Sequence, residues 1–286
     1  MGNRTGCSRD GRGAGPVGQC TCATNRRLGG KRGDNRVTYA PRSGENRMII
    51  GNWKMNTLRE EARTLAESLA ELSVQPTTRV GVCPPVIWQQ TVGEVLKGSP
   101  VMVGLQDCVG DPFGAQTGCV NAAMARDAGC QFVVLGHSER RQRFSETTDT
   151  LIPALQAVLE AGLFPILCVG ETRDDRDQGR AIEVVDAQLA PVLTAGLDLD
   201  GLVVAYEPVW AIGTGLSASQ SDIDTMHTTI RAILGRDDAV VLYGGSVSPE
   251  SAPDVFASQA VSGALVGGAS LDIEKFAAIV AAWEQR

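Results

Sequence analysis

One carboxylate in this chain stands where a general base would be expected. Glu207 follows the short apolar run 202–205, and it precedes Pro208 and the glycine-containing run 210–215. A continuous apolar run rich in β-branched residues is typical of a strand buried on both faces, so Glu207 is predicted at the carboxyl end of a parallel sheet. Proline stiffens the exit from the strand and glycines loosen the following loop, as a hinged lid requires. The alternative is an ordinary surface glutamate at a strand end.

A histidine follows another apolar run and could act as an electrophile. The chain has two histidines. His137 stands where a predicted strand gives way to a helical pattern, and the amino-terminal dipole of that helix would favour a neutral imidazole. A neutral imidazole can donate a hydrogen bond to a carbonyl oxygen. His227 falls within a helical pattern between Asp224 and Arg231, so we interpret it as a structural or surface residue.

Three further strand ends carry groups suited to an anion. Asn52 and Lys54 follow the first apolar run and offer an amide and an ammonium group, although a lysine alone would more often be a solvated strand end. The sequences Gly-Gly-Ser-Val at 244–247 and Gly-Gly-Ala-Ser at 267–270 are turns that can present backbone N–H groups to an anion. Each turn alone is weak evidence, but together with Lys54 they predict a phosphate site.

Eight short apolar runs alternate with amphipathic stretches such as 58–72 and 151–161, and this alternation must position the residues above. Strands separated by helices form parallel βαβ units, and eight units in roughly 240 residues predict an α/β protein with a closed (β/α)8 barrel. A doubly wound dinucleotide-binding sheet is disfavoured because the first strand ends in Asn52 rather than in a glycine-rich fingerprint. The strands are predicted to begin at Met48, Arg79, Val101, Phe132, Phe164, Leu202, Ala239 and Gly263.

The composition is that of an ordinary globular protein, and 286 residues fit one such barrel. No run approaches the roughly 18 apolar residues that span a bilayer, and the first residues lack the apolar core of a secretory signal. We therefore expect no membrane partner and a cytoplasmic location. The eight cysteines form no CxxC pair, which argues against zinc or redox motifs and favours reduced thiols; they are residues 7, 20, 22, 83, 108, 119, 130 and 168.

The chain divides into a basic extension, residues 1–47, and a barrel domain, residues 48–286. The extension carries ten Lys or Arg against three Asp or Glu, although the whole chain has a net charge of -7. Its glycine-rich, aperiodic sequence predicts disorder. A nucleic-acid-binding arm is less favoured because Tyr39 is the only aromatic residue of the extension. An organellar transit peptide is less favoured because the extension lacks amphipathic periodicity. Our preferred hypothesis is that Met48 is the natural start, which amino-terminal sequencing of the native protein would test.

From Met48 to its end the chain resembles the triosephosphate isomerases. Five ordered motifs, each after its own predicted strand, make chance agreement negligible. They are Gly-Asn-Trp-Lys-Met-Asn at 51–56, Gly-His-Ser-Glu-Arg-Arg at 136–141, Tyr-Glu-Pro-Val-Trp-Ala-Ile-Gly-Thr-Gly at 206–215, Tyr-Gly-Gly-Ser-Val at 243–247 and Leu-Val-Gly-Gly-Ala-Ser-Leu at 265–271.

The resemblance implies the interconversion of dihydroxyacetone phosphate and glyceraldehyde 3-phosphate through an enediolate, a step of glycolysis and gluconeogenesis that needs no metal or organic cofactor. The family roles, carried over residue by residue, make Glu207 the base and His137 the electrophile. Asn52 and Lys54 become substrate contacts, and Glu139 becomes the carboxylate that orients Lys54. The phosphate would be held by Gly213, Ser246, Gly267 and Gly268.

The third loop, residues 106–119, departs from the family pattern. Asp107 stands where the family typically has Asn, and Cys119 stands where it typically has Glu. In the family this loop reaches into a partner subunit, and the missing Glu would pair with the arginine that matches Arg140. We expect a homodimer with an altered interface. Ser262 also stands where the family often has Asp.

Two rival functions remain open from the sequence. One is a paralogous isomerase for a longer ketose phosphate such as erythrulose phosphate, which the unaltered motifs at 206–215 and 265–271 disfavour. The other is a non-catalytic sugar-phosphate-binding protein, which the retention of every chemical residue disfavours. A coupled enzyme assay with triose phosphates and with erythrulose phosphate would separate the three possibilities.

Overall fold

Eight parallel strands close into a barrel in chain order, with the last strand hydrogen-bonded to the first. This closed barrel, surrounded by helices, confirms the predicted fold class. The computed structural model describes residues 47–212 and 218–286, so the predicted disorder of the extension lies outside the described residues. The strands are β1 (Met48–Asn52), β2 (Arg79–Cys83), β3 (Val101–Leu105), β4 (Phe132–Leu135), β5 (Phe164–Val169), β6 (Val203–Tyr206), β7 (Val240–Tyr243) and β8 (Gly263–Val266).

The helices that connect the strands pack on the outside of the barrel. Three short 3-10 helices, at Val86–Trp88, Val209–Ala211 and Gly268–Leu271, lie in loops that follow strands. The α-helices of the described part are α1 (Arg59–Ala70), α2 (Gln89–Val95), α3 (Ala122–Asp127), α4 (Ser138–Phe144), α5 (Thr148–Glu160), α6 (Arg173–Asp177), α7 (Ala181–Thr194), α8 (Gln220–Leu234), α9 (Ala252–Ala257) and α10 (Ile273–Glu284).

Side-chain caps decide where several helices begin. The hydroxyl of Thr147 accepts a hydrogen bond from the backbone N–H of Thr150, which starts α5 three residues before the apolar pattern that predicts it. Ser219 caps α8 in the same way, and Gly235 ends that helix in the left-handed region at a φ of 63°. The position of α8 matters because it begins directly after the segment that follows Glu207.

Two apolar cores follow from the alternation of side chains along each strand. Met48 and Ile50 of β1 point into the barrel, and Ile49 points outward against the helices. The barrel interior is filled by large side chains such as Phe132 and Phe164, whose rings stack with centroids 5.5 Å apart. The interior is therefore packed solid below the mouth, and a ligand can enter only at the ends of the strands.

Phe132 fits into the barrel because two neighbouring strands carry glycine beside it. A Cβ at Gly104 would stand 2.4 Å from the ring of Phe132, and a Cβ at Gly81 would stand 2.9 Å from it. These distances are shorter than the closest approach of two non-bonded carbon atoms in proteins. The absence of side chains at Gly81 and Gly104 thus leaves the space that the ring of Phe132 fills.

No helix within residues 47–212 and 218–286 is both long enough and apolar enough to cross a membrane.

Candidate active site

The two most reactive side chains predicted from the sequence meet at the mouth of the barrel. Glu207 directly follows β6, and His137 directly follows β4, so both lie at carboxyl ends of strands. The Nε2 atom of His137 lies 3.0 Å from Oε1 of Glu207, and the backbone N–H of Ser138 donates to Oε2 of Glu207 at 2.7 Å. The Glu207 side chain is only 2 % exposed. A carboxylate so buried must be held by donors, and these two contacts supply them.

The hydrogen bonds of His137 identify its tautomer. The backbone N–H of Glu139, in the first turn of α4, donates to Nδ1 of His137 at 3.2 Å. An imidazole nitrogen that accepts a hydrogen bond carries no proton, so the proton of the neutral ring lies on Nε2. Nε2 lies 3.0 Å from Oε1 of Glu207, and its N–H could donate to a carbonyl oxygen that enters the site. This arrangement agrees with the neutral electrophile expected from the sequence.

Opposing effects act on the pKa of Glu207. Burial alone would raise the pKa, but His137 and the donors of Ser138 lower it further than burial raises it, so the net pKa lies below the ordinary value. Glu207 is therefore ionised near neutral pH while almost excluded from water. An ionised carboxylate is the form that can accept a proton from carbon.

Lys54 is fixed in position by contacts on both its side chain and its backbone. Its Nζ lies 2.7 Å from Oε1 of Glu139, and Asn52 Oδ1 accepts from its backbone N–H at 3.0 Å. Its φ of 53° is left-handed, which is unfavourable for a residue with a side chain. The amide of Gln106 donates to the Lys54 carbonyl at 2.8 Å and stabilises this turn. Gln106 was not among the residues that the sequence motifs single out.

A cavity of about 630 Å³ opens between these residues and the glycine turns after β7 and β8. Glu139 does not line it but holds Lys54 at its edge. Gly213, the remaining predicted phosphate contact, lies outside the described residues. The predicted residues that line the cavity are Asn52, Lys54, His137, Glu207, Ser246, Gly267 and Gly268.

The glycines around the cavity differ in the space that surrounds them, so glycine is needed at each position for a different reason. A Cβ at Gly268 would meet no atom within 4 Å, and one at Gly267 would approach only the Lys54 side chain, at 3.5 Å. Both glycines line the cavity, and the absence of a side chain leaves room for an anion to approach their backbone. In contrast, a Cβ at Gly244 would stand 2.9 Å from Cγ of Glu207, and one at Gly245 would stand 2.2 Å from the hydroxyl of Tyr243. These two glycines make room for the base and for a buried tyrosine.

A second buried carboxylate, Glu171, was missed by the sequence reasoning. Its side chain is fully buried, and its Oε1 accepts from the Trp210 indole at 2.9 Å, the Tyr206 hydroxyl at 3.1 Å and Arg176 at 3.2 Å. These bonds tie the residues on either side of Glu207 to the loop after β5. Glu171 stands two residues after β5, so a reading of every strand end for polar residues could have found it.

The altered third loop forms its own ion-pair cluster. A nitrogen of Arg140 lies 2.7 Å from Oδ2 of Asp107 and 2.6 Å from Oε1 of Glu146. Burial is the main cause that raises the pKa of Asp107 to about 6; Glu146 raises it too, and Arg140 opposes both. The arginine that the family pattern would pair with a glutamate at position 119 is therefore paired twice within its own subunit, while Cys119 is exposed.

His227 lies apart from the cavity in the core between α8 and the barrel. It is fully buried, and its ring contacts Tyr206 edge-on at a centroid distance of 5.9 Å. Burial, with a smaller effect of Arg231, lowers the pKa of His227 to about 3, although a weak bond to the Ala260 carbonyl opposes them. His227 is structural, which is one of the two roles that the sequence left open.

Comparison with known proteins agrees with the site geometry. The sequence model of the family described as "Triosephosphate isomerase" matches residues 47–283. This chain belongs to the triosephosphate isomerase family. Proteins named triosephosphate isomerase from Roseiflexus castenholzii and Caulobacter vibrioides are 45% and 44% identical to it over 243 and 245 residues. One from Rhodopirellula baltica is 41% identical over 246 residues, and each match covers 82% of this chain and 96% of the relative.

Membership of the triosephosphate isomerase family makes the protein an isomerase that acts on a sugar phosphate. The comparisons give no support to the rival isomerase of a longer ketose phosphate or to the non-catalytic binding protein. The described residues contain no group of three or more His, Cys, Asp or Glu that could hold a metal ion.

Proposed function

We propose that Glu207 and His137 carry out the isomerisation of dihydroxyacetone phosphate and glyceraldehyde 3-phosphate as a base and an electrophile. Glu207 takes a proton from the carbon beside the carbonyl group and returns it to the former carbonyl carbon, while the proton of the substrate hydroxyl group passes to the former carbonyl oxygen. The Nε2–H of His137 donates to the substrate oxygen on which negative charge develops. The observation that carries this proposal is the 3.0 Å contact of a buried, ionised carboxylate with the N–H of a neutral imidazole.

Substrate must replace the present partners of Glu207. Oε2 accepts a hydrogen bond from the backbone of Ser138, and Oε1 lies 3.0 Å from Nε2 of His137. A carbonyl oxygen that enters the cavity competes for the His137 N–H, and this frees one carboxylate oxygen to face the substrate carbon. The Glu207 side chain then needs only a rotation about its own bonds, because the backbone on both sides is anchored through Glu171.

Lys54, Ser246, Gly267 and Gly268 are proposed to hold the phosphate, and Asn52 to hold the reacting end of the substrate. The support is their common cavity and the open backbone of the two glycines. The ammonium of Lys54 favours a dianion at short range, against the net negative charge of the whole chain. Gly213 stays a predicted phosphate contact, and with it the hinged lid at 208–218, whose central residues 213–217 lie outside the described part.

A closed site would protect the reaction intermediate. An enediolate that is exposed to water can expel its phosphate, so exclusion of solvent keeps the reaction on the isomerisation path. Ala218, directly after the undescribed residues, donates its backbone N–H to the Tyr243 hydroxyl at 3.4 Å. We infer that this contact and the Trp210 bond to Glu171 anchor the two ends of the lid.

We also propose that the enzyme is a cytoplasmic homodimer in which the third loop contacts the partner. The support for a dimer is family membership together with the retained Thr117-Gly118 core of that loop. The free thiols of the described cysteines agree with a reducing compartment. Residues 48–286 would be the functional unit, because the family match begins at residue 47.

A substrate comparison tests the proposed reaction. A coupled enzyme assay would measure kcat/KM of the full chain with dihydroxyacetone phosphate and with erythrulose phosphate. We expect efficient turnover of the triose phosphate and at least about tenfold lower kcat/KM for the longer ketose, since the cavity must also enclose an extra CHOH unit. Equal or better turnover of erythrulose phosphate would reject the triose specificity. Phosphate-competitive binding without turnover of either compound would reject catalysis altogether.

A further inference from the structure

A second cationic pocket lies on the face of the barrel opposite the active site. It has a volume of about 370 Å³, and it forms where β1 and β8 begin. Three arginines from separate parts of the chain reach it: Arg47 precedes β1, Arg231 lies on α8, and Arg286 follows α10. The remaining described residues of its wall carry no charge; they are Gln259, Val261, Ser262 and Trp283.

The pocket holds Arg231 without a carboxylate partner among the described residues. The guanidinium of Arg231 donates to the Ser262 hydroxyl at 3.0 Å and to the Ala239 carbonyl at 3.1 Å, both neutral acceptors. Asp237 acts on Arg231 only at longer range, beyond ion-pair distance. A half-buried guanidinium bonded only to neutral groups keeps most of its charge uncompensated, which is an unfavourable arrangement unless an anion binds.

The other two arginines are held beside Arg231 by the Trp283 ring. The guanidinium carbons of Arg47 and Arg286 lie 5.5 Å and 4.9 Å from the ring centroid. Arg286 donates to the Val261 carbonyl at 2.7 Å, and Arg47 donates to the main-chain oxygen of Arg286 at 3.2 Å. Even if Arg286 carried a free carboxylate, three guanidinium groups would share at most one negative charge within the described wall.

Mutual repulsion is visible in the pKa of Arg286. Burial is the main cause that lowers this pKa, and the charges of Arg47 and Arg231 lower it further. The three cations are thus close enough to disfavour one another's charge. Cation–π contacts with Trp283 and carbonyl acceptors hold them in place despite this repulsion.

We propose that this pocket binds a phosphate-type dianion, either inorganic phosphate or the phosphate group of a small metabolite. Guanidinium groups match the tetrahedral oxygens of phosphate with paired N–H donors, and three of them surround a site of suitable size. The bound ion links the amino-terminal ends of β1 and β8 to α8 and α10. Because the pocket opens on the face away from Glu207, the ion stabilises the fold without competing with substrate.

Equilibrium dialysis of the full chain with radioactive orthophosphate, at fixed ionic strength, tests the proposal. We expect one phosphate at the active site and a second at the arginine pocket. Ser262→Asp places a carboxylate beside Arg231, so it should abolish the second phosphate while leaving kcat and KM unchanged. Ser262→Ala is the matched control, because it removes the hydroxyl but adds no charge, and it should retain the second phosphate. Lys54→Gln should lose only the active-site phosphate.

Two further arms complete the experiment. Arg286→Gln removes a cation at the chain surface and should weaken the second binding by about tenfold or more, even if Ser262→Asp fails to fold. Methyl phosphate as a probe separates the two sources of the ligand: binding equal to that of orthophosphate indicates a metabolite's phosphate group, and loss of binding indicates the free ion. The absence of a second phosphate in the unmodified chain, or its undiminished binding to both Ser262→Asp and Arg286→Gln, would overturn the proposal.

Discussion

At the scale of single residues, the active site depends on how few donors hold Glu207. His137 contacts it through a side chain, and Ser138 contacts it through its backbone and its side chain. The backbone donor is fixed by the start of α4, whereas the histidine donor can be transferred to substrate. The same histidine thus keeps the base ionised in the empty site and stabilises oxygen charge during reaction. This dual use explains why a neutral imidazole, with a single N–H, suits the position.

A charge placed at Gly268 should weaken substrate binding without harming the fold. A Cβ at Gly268 meets nothing within 4 Å, so Gly268→Asp can be accommodated, and its carboxylate would face the proposed phosphate position. We expect KM to rise by about tenfold or more through repulsion of the dianion. Gly268→Asn has nearly the same size without charge and serves as the control. Equal KM values for the two variants would place the phosphate elsewhere.

His227 should make the fold sensitive to acid. Its pKa of about 3 in the folded chain lies below the ordinary value of 6.5, so below pH 6.5 the unfolded chain binds a proton that the folded chain cannot bind. The stabilising effect is fully present above pH 6.5 and is lost as pH falls, by roughly 1.4 kcal/mol per pH unit. His227→Gln removes this titration, although it also changes the packing against Tyr206 and Tyr243.

Urea unfolding between pH 7 and pH 5 measures the effect of His227. We expect the free energy of unfolding to fall more steeply with acid in the unmodified protein than in His227→Gln. Any change in packing is present at every pH and cancels in the comparison of slopes. Parallel curves would mean that His227 is protonated in the folded state or contacts an acceptor at Nε2.

At the scale of elements, the barrel depends on small residues beside large ones. Gly104→Ala would place a methyl group 2.4 Å from the ring of Phe132 in the closed interior. Since the neighbouring strands cannot move apart without breaking ladder hydrogen bonds, we expect a loss of about 1–3 kcal/mol in the free energy of unfolding. Calorimetry of the variant would measure this loss as a lower melting temperature.

A second glycine provides the control for Gly104. Gly93 lies in α2, and a Cβ there would meet only the Ala128 carbonyl, at 3.9 Å. Gly93→Ala should therefore be neutral or stabilise by up to about 1 kcal/mol through helix propensity. Adding Phe132→Leu to Gly104→Ala should restore part of the lost stability. No rescue by that second substitution would show that the backbone, rather than the ring, opposes the methyl group.

The strands were predictable because their apolar runs are bounded by polar residues at the barrel mouth, and the observed strands begin within one residue of the prediction. Contacts between different loops could not be predicted from local sequence patterns. Gln106 supports the strained Lys54 backbone, and Glu171 anchors Trp210, yet neither partner is near in sequence. The start of α5 was also predicted too late, because a cap rather than an apolar residue sets it.

At the scale of the whole molecule, we propose that the third loop, residues 106–119, sets how strongly two copies associate. Arg140 already forms ion pairs with Asp107 and Glu146 of the same chain, so an ion pair with a second subunit would stabilise a dimer less. Light scattering at micromolar concentration should still give the mass of a dimer. A sharp monomer mass would contradict the proposed homodimer.

Two substitutions ask whether the internal pairing weakens the dimer. Cys119→Glu alone should strengthen association little, because Arg140 stays bound to Asp107. Cys119→Glu combined with Asp107→Asn leaves Glu146 as the only ion-pair partner of Arg140 among the described residues. We expect the dissociation constant to fall by about tenfold relative to the single variant. Equal dissociation constants for the single and double variants would show that this arginine does not control the interface.

The most direct test of the proposed function is the turnover of dihydroxyacetone phosphate by Glu207→Gln. The rate is measured as the formation of glyceraldehyde 3-phosphate. Glutamine keeps the size of the side chain and can still bond to Ser138, but it cannot accept a proton from carbon. We predict that kcat falls by roughly 10²-fold or more, while Glu207→Asp, which retains a carboxylate, loses less. Turnover of Glu207→Gln close to that of the unmodified enzyme would contradict the assignment of Glu207 as the base.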